Sequence, residues 1–323
     1  MSLAVALLVA LAIGVALTPM LGYVGARWGL VDRPSDDGLK IHEEPKPLVG
    51  GIGIVFAVLV ASAAAGQVVP VWPTSAVLLM LAVGVVDDLR KLPPLLRLFT
   101  QVTAGAVLAA DGSTFGVLDD LGPLAVVAAV PVLANAMNIV DGQDGLAAGL
   151  AMIATAGMTA IVATQGEVDP LALAVLGALI GFLVWNRPPA KVFLGDGGAY
   201  ALGSLLIIVA IGSSRSWASL VGSALCLGVF ALEVASTVIR RVMGRSSLLS
   251  GDRSHVYDLL AERSGSRERA TATMLAGAVA TAALGVLVAQ ASVPVAIAGA
   301  AAVVALATFA VRGLWHAAIR NPR

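Results

Sequence analysis

The sequence predicts an all-α protein that crosses a membrane about eleven times, because it is rich in apolar residues and poor in charged ones. Hydrophobic residues make up 59% of the 323-residue chain, charged residues make up 12%, and the mean hydropathy is +0.94. A soluble domain carries about 25% charged residues. Twenty basic and twenty acidic residues leave a formal net charge of zero, so no excess positive charge favours a nucleic-acid partner.

Eleven apolar stretches are predicted as membrane-spanning helices, each approaching the roughly 20 residues that cross a bilayer. They cover residues 3–23, 49–66, 72–86, 95–110, 123–138, 146–164, 170–185, 198–213, 217–239, 270–289 and 293–311. The first is expected to be a retained helix, since it lacks the basic start and cleavage site of a signal peptide. An odd number of spans places the two termini on opposite sides of the membrane.

The basic residues predict which side is which. All lysines and arginines except Arg215 fall in alternate loops or in the C-terminal tail. Because basic residues concentrate in cytoplasmic loops, the N-terminus is predicted outside and the C-terminus in the cytoplasm. We expect a single domain, residues 1–323, whose functional site lies on five cytoplasmic loops: 24–48, 87–97, 135–145, 186–197 and 240–269.

Acidic segments at the cytoplasmic ends of the apolar stretches mark that site, since carboxylates at a membrane boundary are costly to desolvate. Asp87 and Asp88 end the third stretch. Adjacent residues of a helix point about 100° apart, so one carboxylate can bind a metal ion while the other handles a proton or an oxygen nucleophile. A solvated helix end explains a lone pair of this kind about as well.

A polar stripe ends the fifth stretch, where Asn135, Asn138, Asp141 and Asp144 recur every three residues. This spacing keeps side chains near one face of a helical turn. Their oxygen atoms suit a hydrated cation or the polar edges of a nucleotide. A solvated helix end explains four such residues in register poorly.

Two further segments complete the set. Asp196, between glycines, precedes the eighth stretch and is suited to capping a helix or binding Mg²⁺. Arg253 and His255 follow the ninth, where the histidine can bind phosphate, move a proton or simply be solvated. Glu233, inside the ninth stretch, is expected to pair with a basic group. Carboxylates beside lysines and arginines predict a Mg²⁺ site, with Mn²⁺ as a substitute, that shares substrate phosphates and supports phosphoryl transfer.

At these residues the chain resembles the polyprenyl-phosphate N-acetylhexosamine-1-phosphate transferases. The resemblance runs from Lys40 to about Asp258. It rests on an Asp-Asp pair, an Asn-x-x-Asn-x-x-Asp-Gly-x-Asp-Gly-Leu segment and a Phe-x-Gly-Asp-x-Gly segment in the family's order. It implies Mg²⁺-dependent transfer of a sugar 1-phosphate from a UDP-sugar to polyprenyl phosphate, with release of UMP. N-acetylglucosamine 1-phosphate is the first choice of cargo and another UDP-N-acetylhexosamine is the alternative.

The resemblance also implies a setting: the first membrane step of cell-wall or surface glycan synthesis, at the bacterial cytoplasmic membrane, by an enzyme that the family suggests is a homodimer. By similarity, Asp196 and Asp87 would bind the metal, and Asp87 and Asp88 would act on the lipid phosphate or the donor diphosphate. The resemblance implies substrate binding by Lys40, His42, Lys91, Asn138, Asp141, Asp144, Asn186 and Phe193, and position in the sequence adds Asn135, Arg253 and His255 as candidate substrate-binding residues. Among these, Lys91 and Phe193 resemble positions that hold the uracil.

One departure from the family pattern leaves the sugar open. Many N-acetylglucosaminyl members carry His-x-His-His after the ninth span, where this chain reads His255-Val-Tyr257-Asp258. Two other classes of function remain as alternatives. A transporter or flippase predicts ionisable residues deep within the spans, where the sequence offers only Glu233. An inactive lipid-binding homologue is disfavoured by the intact acidic segments.

Overall fold

The computed structural model describes residues 2–34, 44–67, 70–110, 112–244 and 254–320, and within these it is almost entirely helical. Its helices are α1 (Ser2–Arg27), α2 (Gly50–Ala64), α3 (Val71–Leu89), α4 (Pro94–Ala109), α5 (Gly122–Val140), α6 (Leu146–Ala163), α7 (Pro170–Asn186), α8 (Gly195–Ser213), α9 (Trp217–Cys226), α10 (Gly228–Met243), α11 (Val256–Ser264), α12 (Arg267–Val288) and α13 (Val293–Arg320). A short 3-10 helix, Gly116–Leu121, leads into α5. The predicted all-α fold is therefore confirmed.

Each of the eleven predicted stretches lies on a helix, but the ninth is two helices. The helices α9 and α10 meet at a bend of 68° in place of one straight span. Seven helices of the described chain are long and apolar enough to cross a membrane, or eight if the bent pair is one span. The helices α2, α4 and α7 are apolar but shorter. The protein is thus a polytopic membrane protein, while the count of eleven spans and the orientation stay predictions.

The helix α8 is the buried centre of the bundle and packs against α2, α3, α5 and α6. Glycines let its first turn come close to two neighbours. A Cβ atom added to Gly84 of α3 would collide with the backbone of Asp196 and Gly197, and one added to Gly51 of α2 would collide with Gly198. These contacts place the start of α8 directly against α3 and α2.

The described part of loop 24–48 contains two short strands. Strand β1 (Val31–Asp32) pairs antiparallel with β2 (Lys46–Pro47). The chain after β2 then meets the segment before α8: Phe193 N–H donates to the Pro47 carbonyl at 2.9 Å, and Gly50 N–H donates to the Phe193 carbonyl at 3.0 Å. The start of α2 and the start of α8 are therefore joined through the backbone.

Candidate active site

The candidate site is built around the first turn of α8, whose backbone N–H groups bind two carboxylates from other helices. Asp88, in the last turn of α3, accepts hydrogen bonds from Asp196 N–H at 3.0 Å and from Gly197 N–H at 3.1 Å. Asp141, just after α5, accepts one from the Gly195 backbone. The first N–H groups of a helix have no partner within it and carry partial positive charge, so they favour anions. The helix start therefore gathers Asp88 and Asp141 at one point.

The turn into α8 requires glycine at Gly195. This residue has φ +77°, a left-handed conformation that glycine adopts without the strain that a side chain would cause. A Cβ atom there would also lie 2.8 Å from Oδ2 of Asp88. The Gly-Asp-Gly spacing noted in the sequence is thus explained by backbone conformation and by space for the Asp88 carboxylate.

Asp196 lies at the middle of the site and is bound from two sides. Its Oδ2 atom accepts a hydrogen bond from Nζ of Lys91 at 2.9 Å, and its Oδ1 atom accepts one from the amide of Asn138. Burial alone would lower the pKa of Lys91, but the negative charge of Asp196, with that of Asp87 and Asp88, outweighs it and raises the pKa. Lys91 is therefore held in its charged form beside the carboxylates.

Asp87 has a different environment from its neighbour, since its side chain is fully buried. Its Oδ1 atom accepts from Leu92 N–H at 2.7 Å, and its Oδ2 atom accepts from Arg97 and from the Tyr200 hydroxyl, both at 3.1 Å. A buried carboxylate is tolerated when it is paired and hydrogen-bonded in this way. Asp87 therefore fixes the end of α3 against α4 and α8, whereas the side chains of Asp88 and Asp196 are partly exposed.

Sequence reasoning missed Arg97 and Tyr200 as members of this site. Tyr200 follows Asp196 by four residues on α8, so helical spacing alone places the two on one face. Arg97 lies in the first turn of α4, and the sequence indicates only that its charge falls in the predicted cytoplasmic loop 87–97. The spacing was a usable signal for Tyr200, whereas the pairing of Arg97 with Asp87 depends on how α3 and α4 pack.

Asp144 and Asn186 join two loops of the site to each other. Asp144 accepts a hydrogen bond from Ala190 N–H at 2.8 Å. Asn186 accepts one from Gly145 N–H at 3.1 Å and donates to the Val192 carbonyl at 3.0 Å. The residues after α5 and the residues before α8 are therefore held in a fixed relation.

Asp141 is crowded by other carboxylates at this junction. Desolvation, then the negative charges of Asp196 and Asp88, raises the pKa of Asp141 well above its usual range. The hydrogen bond from the Gly195 backbone acts in the opposite direction but does not cancel these effects. Three carboxylates thus interact closely, which is the situation that a bound cation relieves.

The other predicted residues make contacts elsewhere or lie beyond the described chain. Asn135, deeper in α5, donates to Gln101 of α4 and to the Pro131 carbonyl, both at 2.7 Å. Phe193 contributes the backbone contacts to Pro47 and Gly50 described above. His255 is buried at the start of α11, where its Nδ1 atom is 3.2 Å from the Thr237 hydroxyl. The residues outside the described chain are Lys40, His42 and Arg253.

The donor chemistry of the site fits Mg²⁺, although the described residues do not form a complete metal-binding site by themselves. Within the described residues, no group of three or more His, Cys, Asp or Glu side chains is arranged to hold a metal ion. Mg²⁺ in phosphoryl-transfer sites is typically bound by one or two carboxylates and completes its shell with waters and substrate phosphates. Asp88 and Asp196 supply two hard oxygen donors whose charges interact. Such a site needs no third protein ligand.

Comparison with known proteins gives a consistent result. The profile of the family described as "Glycosyl transferase family 4" matches residues 71–214, which include α3 to α8 and the site between them. The chain is 29% identical over 276 residues to the probable undecaprenyl-phosphate N-acetylglucosaminyl 1-phosphate transferase of Bacillus subtilis, a match that covers 79% of this chain and 76% of that protein.

Two further relatives are similar over most of their length. The phospho-N-acetylmuramoyl-pentapeptide-transferase of Shouchella clausii is 33% identical over 264 residues, covering 70% of this chain and 79% of the relative. The decaprenyl-phosphate N-acetylglucosaminephosphotransferase of Mycolicibacterium smegmatis is 30% identical over 292 residues, covering 76% and 71%. The names of these two relatives differ in the sugar.

Proposed function

Because this chain belongs to glycosyl transferase family 4, the family of the polyprenyl-phosphate N-acetylhexosamine-1-phosphate transferases, we propose that it transfers a sugar 1-phosphate from a UDP-sugar to polyprenyl phosphate. The other product is UMP. N-acetylglucosamine 1-phosphate is the proposed cargo, a choice favoured by the names of the Bacillus subtilis and Mycolicibacterium smegmatis relatives. Another UDP-N-acetylhexosamine is the alternative donor.

The observation that carries this proposal is the convergence of Asp88, Asp141 and Asp196 at the first turn of α8, with Lys91 beside them. Both substrates are anionic, so the site must neutralise charge and hold them in line. In the proposed reaction, an oxygen of the lipid phosphate attacks the phosphorus attached to the sugar. A new P–O–P link forms, the bond from that phosphorus to the oxygen of UMP breaks, and UMP leaves.

Each carboxylate has a proposed part in this reaction. Asp196, with Asp87 or Asp88, would hold Mg²⁺, and Mn²⁺ is a candidate substitute. When bound, the ion would offset the charge of the donor diphosphate. Asp88 is better placed than Asp87 to act on the lipid phosphate or the diphosphate, because Asp87 is fully buried and already bonded to Arg97 and Tyr200.

The donor nucleotide is proposed to lie between Lys91 and the loop before α8. Lys91 and Phe193 would hold the uracil, and Asn135, Asn138, Asp141, Asp144 and Asn186 would complete the polar surround. His255 would lie towards the sugar. The proposed roles of Lys40, His42 and Arg253 rest on the sequence alone.

The proposed setting is the cytoplasmic leaflet of a bacterial membrane, where the enzyme would begin a lipid-linked glycan and act as a homodimer. A transporter, the main alternative, needs ionisable groups along a path through the bundle. Glu233, which the sequence left as a candidate for such a path, instead binds the backbone at the start of α11. This contact and the family membership both favour the transferase.

The proposal is tested by purifying the protein in detergent and measuring UMP release. Undecaprenyl phosphate, Mg²⁺ and a panel of UDP-N-acetylhexosamines are supplied, with reactions lacking lipid phosphate or containing a chelator as controls. We expect UMP only when lipid phosphate and Mg²⁺ are both present, and the best donor identifies the sugar. Failure of every donor to yield UMP, with protein shown to be folded, would refute the proposed reaction.

A further inference from the structure

The start of α11 is attached to α10 by a buried carboxylate. Glu233 of α10 is fully buried, and its two oxygens accept hydrogen bonds from Val256 N–H and Tyr257 N–H, each at 3.2 Å. Its Oε2 atom is also 3.8 Å from Nδ1 of His255. A carboxylate is favoured at a helix start, where the first N–H groups have no partner within the helix. Glu233 therefore provides acceptors for the first two N–H groups of α11 and ties this helix start to α10.

Tyr257 extends from this helix start to the turn formed by residues 141–145, which we call the 141–145 turn. Its side chain is buried and stacks on the ring of His255, with centroids 5.4 Å apart. A Cβ atom added to Gly142 would collide with the Tyr257 hydroxyl and lie 2.9 Å from Cζ of the same ring. Tyr257 thus fills the space beside Gly142 that any side chain at that position would need.

The 141–145 turn is held on two opposite sides. On the side of α8, Asp141 accepts from the Gly195 backbone and Asp144 accepts from Ala190 N–H. On the other side, Gln143 accepts from the Thr271 hydroxyl of α12 at 2.8 Å, and Gly142 packs on Tyr257. Tyr257 therefore packs directly against the turn that carries Asp141 and Asp144.

We propose that Tyr257, seated by Glu233, is a positioning residue that packs against Gly142 and so fixes Asp141 and Asp144 for the donor nucleotide. The donor part of this inference rests on the proposed function. Groups that orient the residues binding a substrate or metal influence activity without touching the substrate, because small displacements of a site are costly. A charged residue inside an apolar bundle is costly and usually has a function. Seating Tyr257 would be the function of the buried Glu233.

The proposal is tested with four variants: Tyr257→Ala, Glu233→Gln, Gly142→Ala, and Gly142→Ala combined with Tyr257→Phe. Glu262→Gln is the matched control, because Glu262 is an exposed residue of α11, the helix that carries Tyr257. Hydrogen exchange of the 141–145 turn is measured in detergent, with α2 as the internal reference. The KM values for the UDP-sugar and for the lipid phosphate are measured in parallel.

We expect each single variant to speed hydrogen exchange in the 141–145 turn, while exchange in α2 stays unchanged. The same variants should raise the KM for the UDP-sugar about tenfold and leave the KM for the lipid phosphate unchanged. In the double variant, loss of the Tyr257 hydroxyl removes the worst collision with the new methyl group. The KM of the double variant for the UDP-sugar should therefore lie between that of Gly142→Ala and that of the wild type.

Unchanged exchange of the turn in Tyr257→Ala would overturn the proposal whatever the enzyme does. Equal rises in both KM values, or faster exchange in α2 as well, would overturn it by showing a general loss of structure. If wild-type protein makes no UMP while the turn still exchanges faster in the variants, the positioning contact is supported and the proposed function alone is contradicted.

Discussion

Asp88 and Asp196 differ in what their negative charges bind, and this difference makes conservative substitutions informative. Asn in place of Asp196 keeps the shape of the side chain but loses the charge that faces Lys91 and that would face the proposed Mg²⁺. Asn in place of Asp88 can no longer accept from both Asp196 N–H and Gly197 N–H with two carboxylate oxygens. We expect each variant to lower the rate of UMP release by about 100-fold or more.

The measurement is UMP release together with membrane insertion and thermal stability of each variant. Asp120→Asn is the control, because Asp120 is exposed and lies before the start of α5, whereas Asn138 and Asp141 lie at the other end of that helix. It should behave as wild type. Substantial turnover in either site variant would show that the substituted carboxylate does not have its proposed role.

For single residues, the sequence identifies the acidic side chains of the site but does not predict the environment of each one. Adjacent positions on a helix point in different directions, so distinct roles for Asp87 and Asp88 were predictable. Which of the two is buried depends on where Arg97 of α4 and Tyr200 of α8 pack against the end of α3. That packing is tertiary, and spacing along the chain does not contain it.

The contact between α3 and α8 depends on a glycine at each side. Gly84→Ala would place a methyl group against the backbone of Asp196 and Gly197, which cannot move aside as a flexible side chain can. The two helices must separate, and the hydrogen bonds from Asp88 to the start of α8 must lengthen. We expect a loss of stability of about 1–3 kcal/mol, as for other overpacked sites, and a larger loss of activity than of stability.

Gly277→Ala is the matched control for this substitution. A Cβ atom at Gly277 of α12 would meet no atom within 4 Å. Alanine is also preferred over glycine inside a helix by about 0.5–1 kcal/mol. Thermal unfolding and UMP release are measured for both variants. Normal activity in Gly84→Ala would show that the close approach of α3 and α8 does not position the site.

The elements were predictable to the extent that hydropathy defines them. Every predicted apolar stretch lies on a helix, because long apolar runs have few alternatives in a membrane. The bend between α9 and α10 was missed, since residues 217–239 contain no proline and their apolar character is continuous. Gly228 begins the second helix, and a lone glycine is a weak signal for a break. The bend matters because α10 carries Glu233 to the start of α11.

Across the whole molecule, loops distant in sequence meet at one end of the bundle. Lys91 of the loop after α3 and Asn138 near the end of α5 both bind Asp196, and Asp144 binds the backbone of Ala190. The distribution of basic residues predicted that these loops share one face. Their meeting agrees with that prediction, but it does not reveal which side of the membrane they face.

The orientation is tested with variants that each add one cysteine, because the native Cys226 is buried and should not react. Asp120→Cys and Arg187→Cys place thiols at exposed positions before α5 and after α7. Three apolar helices separate the two sites, so the thiols should lie on opposite sides if all three cross. We expect a membrane-impermeant thiol reagent to label Asp120→Cys in intact cells and Arg187→Cys only after the membrane is opened.

Each contrary result has a distinct structural meaning. The helix α7 has 17 residues, and a helix of that length is about 25 Å long, somewhat less than a hydrocarbon core of about 30 Å. Labelling of both variants from outside would mean that α7 or one of its two predecessors does not cross, so the count of eleven spans would be wrong. Labelling of Arg187→Cys alone in intact cells would mean that the protein has the opposite orientation in the membrane. Asp196 would then face outward, away from a cytoplasmic nucleotide-sugar donor, and the proposed reaction could not occur there.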